Sequence, residues 1–398
     1  MSKQLSLSEV SLGLVLFTLP IALKANTAAL ILFFLYNLYE RIKNRIFPNL
    51  MWFLPCIILV LIHLFGYFNS EDIGEANKKL ILFFSLFVSP LFFTQQLEKI
   101  KLEQMLMFLF YGVILMALYG ICGAGYDILV LDVRYDYGRG VDLLLKYIPH
   151  HTYFSMYTLS SILIISYMVG KKQIKAYYLL FMPILYLVIF LLPSRTTIMF
   201  AVIVLPFFIL FFLKDRFKKP RVLALLSSLL LILFMFGFSL DYTRDKILFA
   251  FYEVANISTE EKPFYGISRR KILWQSSMEL IKDKPFWGYG LGDAQYYLNK
   301  TYRTNGHLEV LNMNSHNQYL QNAIFYGIPL ASVFFGSVLW IVVKLAKKKE
   351  ILLLGIWGVI LTVFLTESTL NRQWGIIFFA FMLTLSCLAI NRECHPLD

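Results

Sequence analysis

The 398-residue chain is 58% hydrophobic, 17% aromatic and 16% charged, with 37 Lys+Arg against 25 Asp+Glu and a formal net charge of +12. Its mean hydropathy is +0.65, whereas soluble domains average roughly 45–50% apolar and about 25% charged. A chain this apolar has too little polar surface to face water on all sides, which excludes a soluble enzyme, a disordered chain and a coiled coil and implies an all-α polytopic membrane protein.

A membrane helix needs about 20 apolar residues, within a range of about 17–25. In chain order the predicted spans are 8–23, 26–40, 49–68, 79–95, 104–122, 150–169, 174–193, 196–213, 221–240, 317–344, 350–366 and 373–390. The first two are short and divided only by the turn around Lys24 to Asn26. No A-x-A-type cleavage site follows the first run, so it reads as a retained span. The basic residues test the count. With the N-terminus inside, the inner segments carry Lys3, the Arg41–Arg45 cluster, Lys99, Lys101, the Lys171–Lys175 cluster, the Lys214–Arg221 cluster, the Lys344–Lys349 cluster and Arg392, which is nineteen cations. The short outer loops hold five: Lys24, Lys78, Lys79, Arg195 and Arg372. That alternation obeys the positive-inside rule and predicts twelve spans with both termini cytoplasmic. The basic excess therefore reads as topogenic, with no nucleic-acid partner. Cys56, Cys122, Cys387 and Cys394 imply no disulfide framework.

The expected organisation is helices one to nine in 1–240, an outer loop with amphipathic helices in 241–316, and the last three spans with a short tail in 317–398. A shorter outer segment covers 123–149. Loops beyond about 12–15 residues are usually functional or disordered. The long one holds Trp274, Phe286, Trp287, Tyr289, Tyr296 and Tyr297, too many aromatics for a disordered linker. Ser268 is the expected N-cap of a helix starting near Arg269. Ile267, Trp274, Met278 and Ile281 recur at helical spacing as an apolar stripe. Lys284-Pro285 ends that helix, and Gly288, Gly290 and Gly292 permit an irregular turn. Such helices are expected to pack on, or lie in, the outer membrane interface.

The outer ionisable residues are the candidates for chemistry. Arg195 lies between two spans with almost no loop, on the side where the charge bias disfavours cations. An ionisable group there is a functional candidate facing a polar cavity. Arg270 stands four residues before Trp274 on one helix face, with Arg269 about 100° away around the helix. His316 is expected in the first turn of the next span, capped by Asn314 or Ser315, where the helix dipole favours the neutral imidazole that a general base requires. His150 and His151 close another outer segment, and as helix neighbours they diverge too far to share a metal. Glu367 and Arg372 share the last outer loop, either paired or lining the same cavity. No HExxH, CxxC or outer Asp-x-Asp sequence is present, so no metal is expected.

The pattern Arg270, Trp274, then Pro285, Gly288, Gly290 and Gly292 resembles the R-x-x-x-W … P-x-x-G-x-G-x-G signature of O-antigen ligases and their polymerase relatives. His316-Asn317-Gln318-Tyr319-Leu320-Gln321 with Gly327 resembles that family's H-N-x-Y-L … G signature, and Ser194-Arg195-Thr196 matches an arginine before the eighth span. The resemblance covers about 195–330 and extends through the topology to the whole chain.

It implies an inverting, metal-independent glycosyltransferase with a GT-C-like membrane fold and no cofactor, seated in a bacterial inner membrane with its site facing the periplasm. The implied donor is a glycan on undecaprenyl pyrophosphate. The implied acceptor is a lipid A-core sugar hydroxyl for a ligase, or a lipid-linked repeat unit for a polymerase. Arg195 and Arg270 would neutralise the departing pyrophosphate and His316 would deprotonate the acceptor. Arg269, Trp274, Asn317, Tyr319, Arg372 and His151 would bind substrate, and membrane lipid would hold the polyprenyl tail in a groove open to the bilayer. Arg269 competes with Arg270 for the pyrophosphate, and His307 and the loop tyrosines are further sugar contacts among which spacing does not choose. The histidine signature favours the ligase over the polymerase. Protein O-oligosaccharyltransferases belong to the same class, but residues 391–398 leave little room for their acceptor-binding regions. A transporter or flippase is the rival from another class. The absence of internal repeats and of charged span centres weighs against it.

Overall fold

The computed structural model describes residues 6–45, 50–92, 99–131, 144–214 and 266–391, together with 216, 235, 244 and 248. They are mostly helical, with no strand among them. In chain order the α-helices are α1 Leu7–Thr18, α2 Leu23–Asn44, α3 Leu54–Phe68, α4 Ile73–Leu82, α5 Phe84–Phe92, α6 Lys99–Leu129, α7 His151–Gly170, α8 Met182–Leu191, α9 Arg195–Ile203, α10 Leu205–Leu213, α11 Gly266–Asp283, α12 Gly290–Thr304, α13 Gln318–Lys347, α14 Ile351–Phe364 and α15 Gln373–Asn391.

Among the described residues, six stretches are long and apolar enough to cross a membrane: Leu50–Phe68, Leu102–Leu129, His151–Gly170, Arg195–Leu213, Gln318–Lys347 and Gln373–Asn391. Leu7–Thr18, Ala176–Leu191 and Ile351–Phe364 are shorter apolar helices. The protein is thus polytopic. The expected span 221–240 and most of 241–265 lie outside the described residues.

Three boundaries differ from expectation. The segment 79–95 is not one helix. Asp72 caps α4 by accepting the Glu75 N–H at 2.9 Å, and the chain turns at Phe83 before α5 starts. The polar α4 stands outside the long apolar stretches. Helix α6 runs on to Leu129, past the expected limit at 122. The third difference is in α13. At Gly327 the backbone takes φ 75 and ψ 168, and Pro329 follows without an N–H to donate. The ring of Tyr319 lies 4.5 Å from that of Phe335. On a straight helix those residues would be on the order of 24 Å apart. Residues 318–326 and 328–347 are therefore two arms folded back on each other, and the second arm alone approaches the about 20 residues that a bilayer requires.

By its internal contacts the chain divides into two units. One comprises Met1–Asn37, Glu98–Phe251 and Gly358–Val363, and the other Leu38–Leu97, Tyr252–Trp357 and Phe364–Asp398. In the first, α7 is buried from Thr152 to Gly170. Ser155, Thr158, Ser160 and Ser166 donate to carbonyls four residues back, so these four hydroxyls are satisfied within the helix, while Ser161 Oγ finds no partner among the described residues. A Cβ on Gly170 would stand 2.0 Å from the Phe212 carbonyl oxygen, so glycine sets the approach of α7 and α10.

In the second unit, α15 is the buried element from Gly375 to Ile390. The Trp357 indole donates to Ser386 Oγ at 2.9 Å, and the hydroxyls of Ser89 and Thr384 share a hydrogen bond of 2.8 Å. His63, unremarked in the sequence, is buried among Phe83, Tyr326 and Phe334. Its Nδ1 lies 2.7 Å from the Leu59 carbonyl oxygen and donates to it. Helix α11 packs on α12 and α13, and α12 packs on α3 and α4.

Candidate functional site

The loop 285–292 is a clamp on the fold of α13. The chain reversal at Gly327 breaks the helical hydrogen-bond ladder, and a buried break must find other partners. The Tyr289 N–H donates to the Ile324 carbonyl at 2.8 Å, and the Ile328 N–H donates to the Pro285 carbonyl at 2.7 Å. Gly288 has φ 65, and a Cβ there would stand 2.6 Å from the Ile324 carbonyl oxygen and from the Gly327 nitrogen. A Cβ on Gly327 would stand 2.3 Å from the Phe286 carbonyl oxygen. Two left-handed glycines meet face to face because no side chain fits between the strands of backbone.

The same loop is tied to the turn after α3. Asn69 Nδ2 donates to the Trp287 carbonyl at 2.9 Å, and the Gly292 N–H donates to Ser70 Oγ at 3.0 Å. The Asp293 carboxylate accepts from the Glu71 and Asp72 N–H groups at 2.7 and 2.9 Å. Burial, and then the hydrogen bond to Asp283, raise the pKa of the Tyr289 phenol above its ordinary value.

The histidine segment is built differently. Asn317, and not Asn314 or Ser315, is the N-cap of α13, accepting the Leu320 N–H at 3.1 Å. His316 therefore precedes the helix instead of lying in its first turn, and it takes φ 43, a left-handed conformation that costs a non-glycine residue of order 1–3 kcal/mol. The Asn314 side chain accepts the His316 N–H at 2.9 Å. Ser315 Oγ lies 3.0 Å from Gln321 Oε1, to which it donates, and 3.2 Å from Ser368 Oγ. Asn317 Nδ2 donates to the Leu365 carbonyl at 3.1 Å, and the Leu370 N–H donates to Gln318 Oε1 at 2.7 Å. Nearly every polar group of this segment is spent on fastening it to the 365–370 loop.

The ring of His316 meets the same loop through one nitrogen and stays partly exposed. Its Nδ1 lies 3.3 Å from Glu367 Oε2, with the imidazole 33% exposed and the carboxylate side chain 10% exposed. A nearly buried carboxylate beside Nδ1 favours the tautomer with its proton on Nδ1, which leaves the Nε2 lone pair to accept a proton. The sequence offered Glu367 as a partner of Arg372 or as a lining residue of the same cavity. The pairing with His316 needed the fold, since 50 residues separate them and no motif links the two.

Residues 178–335 match the family model described as O-antigen ligase. Over that stretch the chain is similar to the O-antigen ligase family. No curated relative matches the sequence. The matched stretch carries Arg195, Arg270, Trp274, the glycine loop and His316, while Glu367 lies beyond it.

The other expected site residues fall as follows. Arg195 is the first residue of α9, half-buried, in the first unit. His151 opens α7 in that unit, and His150 precedes the helix with φ 48. The two histidine rings do not diverge; they stack at 5.4 Å and 11°. Lys146 holds the segment before them by donating to Asp127 at 3.0 and 3.1 Å. In the second unit, Arg269 and Arg270 are half-buried near the start of α11. Ser268 lies inside that helix, which begins at Gly266, so it is not the N-cap. The buried stripe runs through Leu273, Ser276, Ser277, Leu280 and Ile281, because α11 turns that face to its neighbours; Trp274 is half-buried and Met278 is exposed. Asn317 and Tyr319, expected to touch substrate, are engaged in capping and in ring packing on Phe335 and Phe364. Arg372 is exposed just before α15. Burial lowers the pKa of Lys79 on α4; Glu75 opposes the shift and Arg372 adds to it, which places two cations near one another.

Proposed function

We propose that this chain is an inverting, metal-independent ligase-type glycosyltransferase that moves a glycan from undecaprenyl pyrophosphate to a lipid A-core hydroxyl at the periplasmic face of a bacterial inner membrane, with twelve spans and cytoplasmic termini. The observation that carries the reading is the His316–Glu367 pair, immediately before a helix of the family-matched stretch. In the reaction, the acceptor oxygen attacks the anomeric carbon and its proton passes to His316 Nε2. The bond from that carbon to the phosphate oxygen breaks, and the electron pair leaves on the lipid pyrophosphate. Glu367 stabilises the imidazolium as it forms, a role for a carboxylate that does not itself take the proton. Arg195 and Arg270 bind the phosphate oxygens, for which planar bidentate guanidinium is suited, and preorganised charge of this kind is usually the largest catalytic term. Arg269 and Arg372 add positive charge for the same group, and Trp274 and His151 contact sugar.

The test is to delete the gene in the native cells and to resolve the surface glycan on a gel. A ligase leaves lipid A without polymer while polymer accumulates on the carrier lipid. A polymerase leaves a single repeat unit on lipid A. Substrate flux across proteoliposomes with no glycosidic bond formed rejects both. Complementation with Arg195→Ala or Arg270→Ala is expected to leave the deletion phenotype in place at normal membrane abundance, and full complementation by both variants removes the pyrophosphate assignment.

A further inference from the structure

A cavity lies against α11, with Ile272, Ser276 and Met278 in its lining. Trp274, Gln275, Glu279 and Lys282 line one side of this cavity of about 620 Å³, and Asn305 and His307, in the turn after α12, line the other. That volume lies inside the roughly 300–1,000 Å³ of small-ligand sites. Gln275, Glu279 and Lys282 are exposed, so the cavity opens to water and not to lipid.

The chemistry of its walls is specific. The Trp274 Nε1 atom is buried and finds no acceptor among the described residues, an uncommon state for a buried indole N–H. Asn305 Nδ2 donates to one oxygen of Glu279 at 3.0 Å, which leaves acceptor capacity on that carboxylate. His307 Nδ1 lies 3.5 Å from Glu309 Oε1, a residue outside the cavity lining. One Lys against one Glu makes no net field for a phosphate. An indole, an amide, a carboxylate and an imidazole around one void, with Ile272 and Met278 beside them, instead match a polyhydroxylated ring, whose CH groups suit the apolar and aromatic lining while its hydroxyls both donate and accept.

We propose that this cavity is a saccharide subsite that holds rings of the glycan remote from the reacting bond. The inference rests on the glycosyl-transfer reading for its ligand but not for its existence. Its position fits the role. The segment 311–316, which carries His316, is pinned on α12 by Gln295 Nε2 to the Met313 carbonyl at 3.0 Å and by Asn299 Nδ2 to Asn312 Oδ1 at 3.0 Å. One continuous strap thus runs from His307 to His316. Binding energy gathered at the remote rings serves to place the reacting sugar.

The test uses the full-length protein in nanodiscs and, as probe, glycan freed from the carrier lipid of the native cells by mild acid. Saturation-transfer NMR reads binding without any transfer. The double variant Gln275→Ala/Glu279→Ala changes exposed helix positions to the best helix former and so spares the fold. It is expected to weaken probe binding at least tenfold, and to raise the KM for long-chain donors by a similar factor with kcat unchanged and single-repeat donors unaffected. His316→Ala is expected to bind the probe as wild type does. Wild-type probe binding by the double variant, or an equal effect on long and single-repeat donors, overturns the subsite even where transfer itself is intact. Probe binding that is lost in the double variant while no donor is ever transferred upholds the subsite and rejects the glycosyl-transfer reading.

Discussion

The loop 285–293 and the segment 314–318 both carry family signatures, and they work in opposite ways. The glycine loop directs its backbone inward: Tyr289, Pro285 and Gly288 satisfy and crowd the reversal at Gly327, and Asp293 fastens the loop to the start of α4. None of those contacts leaves a group for a substrate. The histidine segment uses its neighbours in the same inward fashion but leaves one ring one-third exposed, held beside a nearly buried carboxylate. A signature in sequence therefore marks a constraint without saying whether the constraint is steric or chemical. Only the direction in which each group points separates the two.

Substitutions can break that contrast. The largest effect is expected from His316→Ala, which should cut transfer by about 10²–10⁴-fold, the range for a lost general base, with the melting temperature in detergent held. A fall in melting temperature that accounts for the lost activity would make His316 a structural residue like its neighbours. Gly327→Ala places a Cβ 2.3 Å from the Phe286 carbonyl oxygen at φ 75, and should cost more than about 3 kcal/mol. The yield of folded protein should drop, with activity per folded molecule near wild type. A tolerated alanine there would mean that the loop is not a clamp.

Glu367→Gln sharpens the comparison on the chemical side. It should reduce transfer by about 10–100-fold, the scale of an orienting partner, with Glu367→Asp recovering part of the loss and neither changing stability as Gly327→Ala does. The smallest effect is expected from Asp293→Asn, which weakens two charge-assisted hydrogen bonds to backbone N–H groups. About 1 kcal/mol of stability should be lost, with the KM and kcat of the remaining folded protein unchanged. A selective change in kcat would place the glycine loop in the chemistry.

The sequence by itself determined that this is a helical membrane protein, because hydropathy follows from composition and needs no contact to be read. It also determined the ends of several helices, such as the stop at Lys284-Pro285, since proline's missing N–H acts locally. Only the tertiary structure decided that residues 318–347 form two arms, that 79–95 is interrupted at Phe83, and that His316 faces Glu367. Those outcomes depend on partners distant along the chain: the Pro285 and Tyr289 backbone groups that make a broken helix affordable, and the 365–370 loop that draws a carboxylate to an imidazole. Local pattern records what a residue prefers, whereas packing settles which of its groups remain to do chemistry.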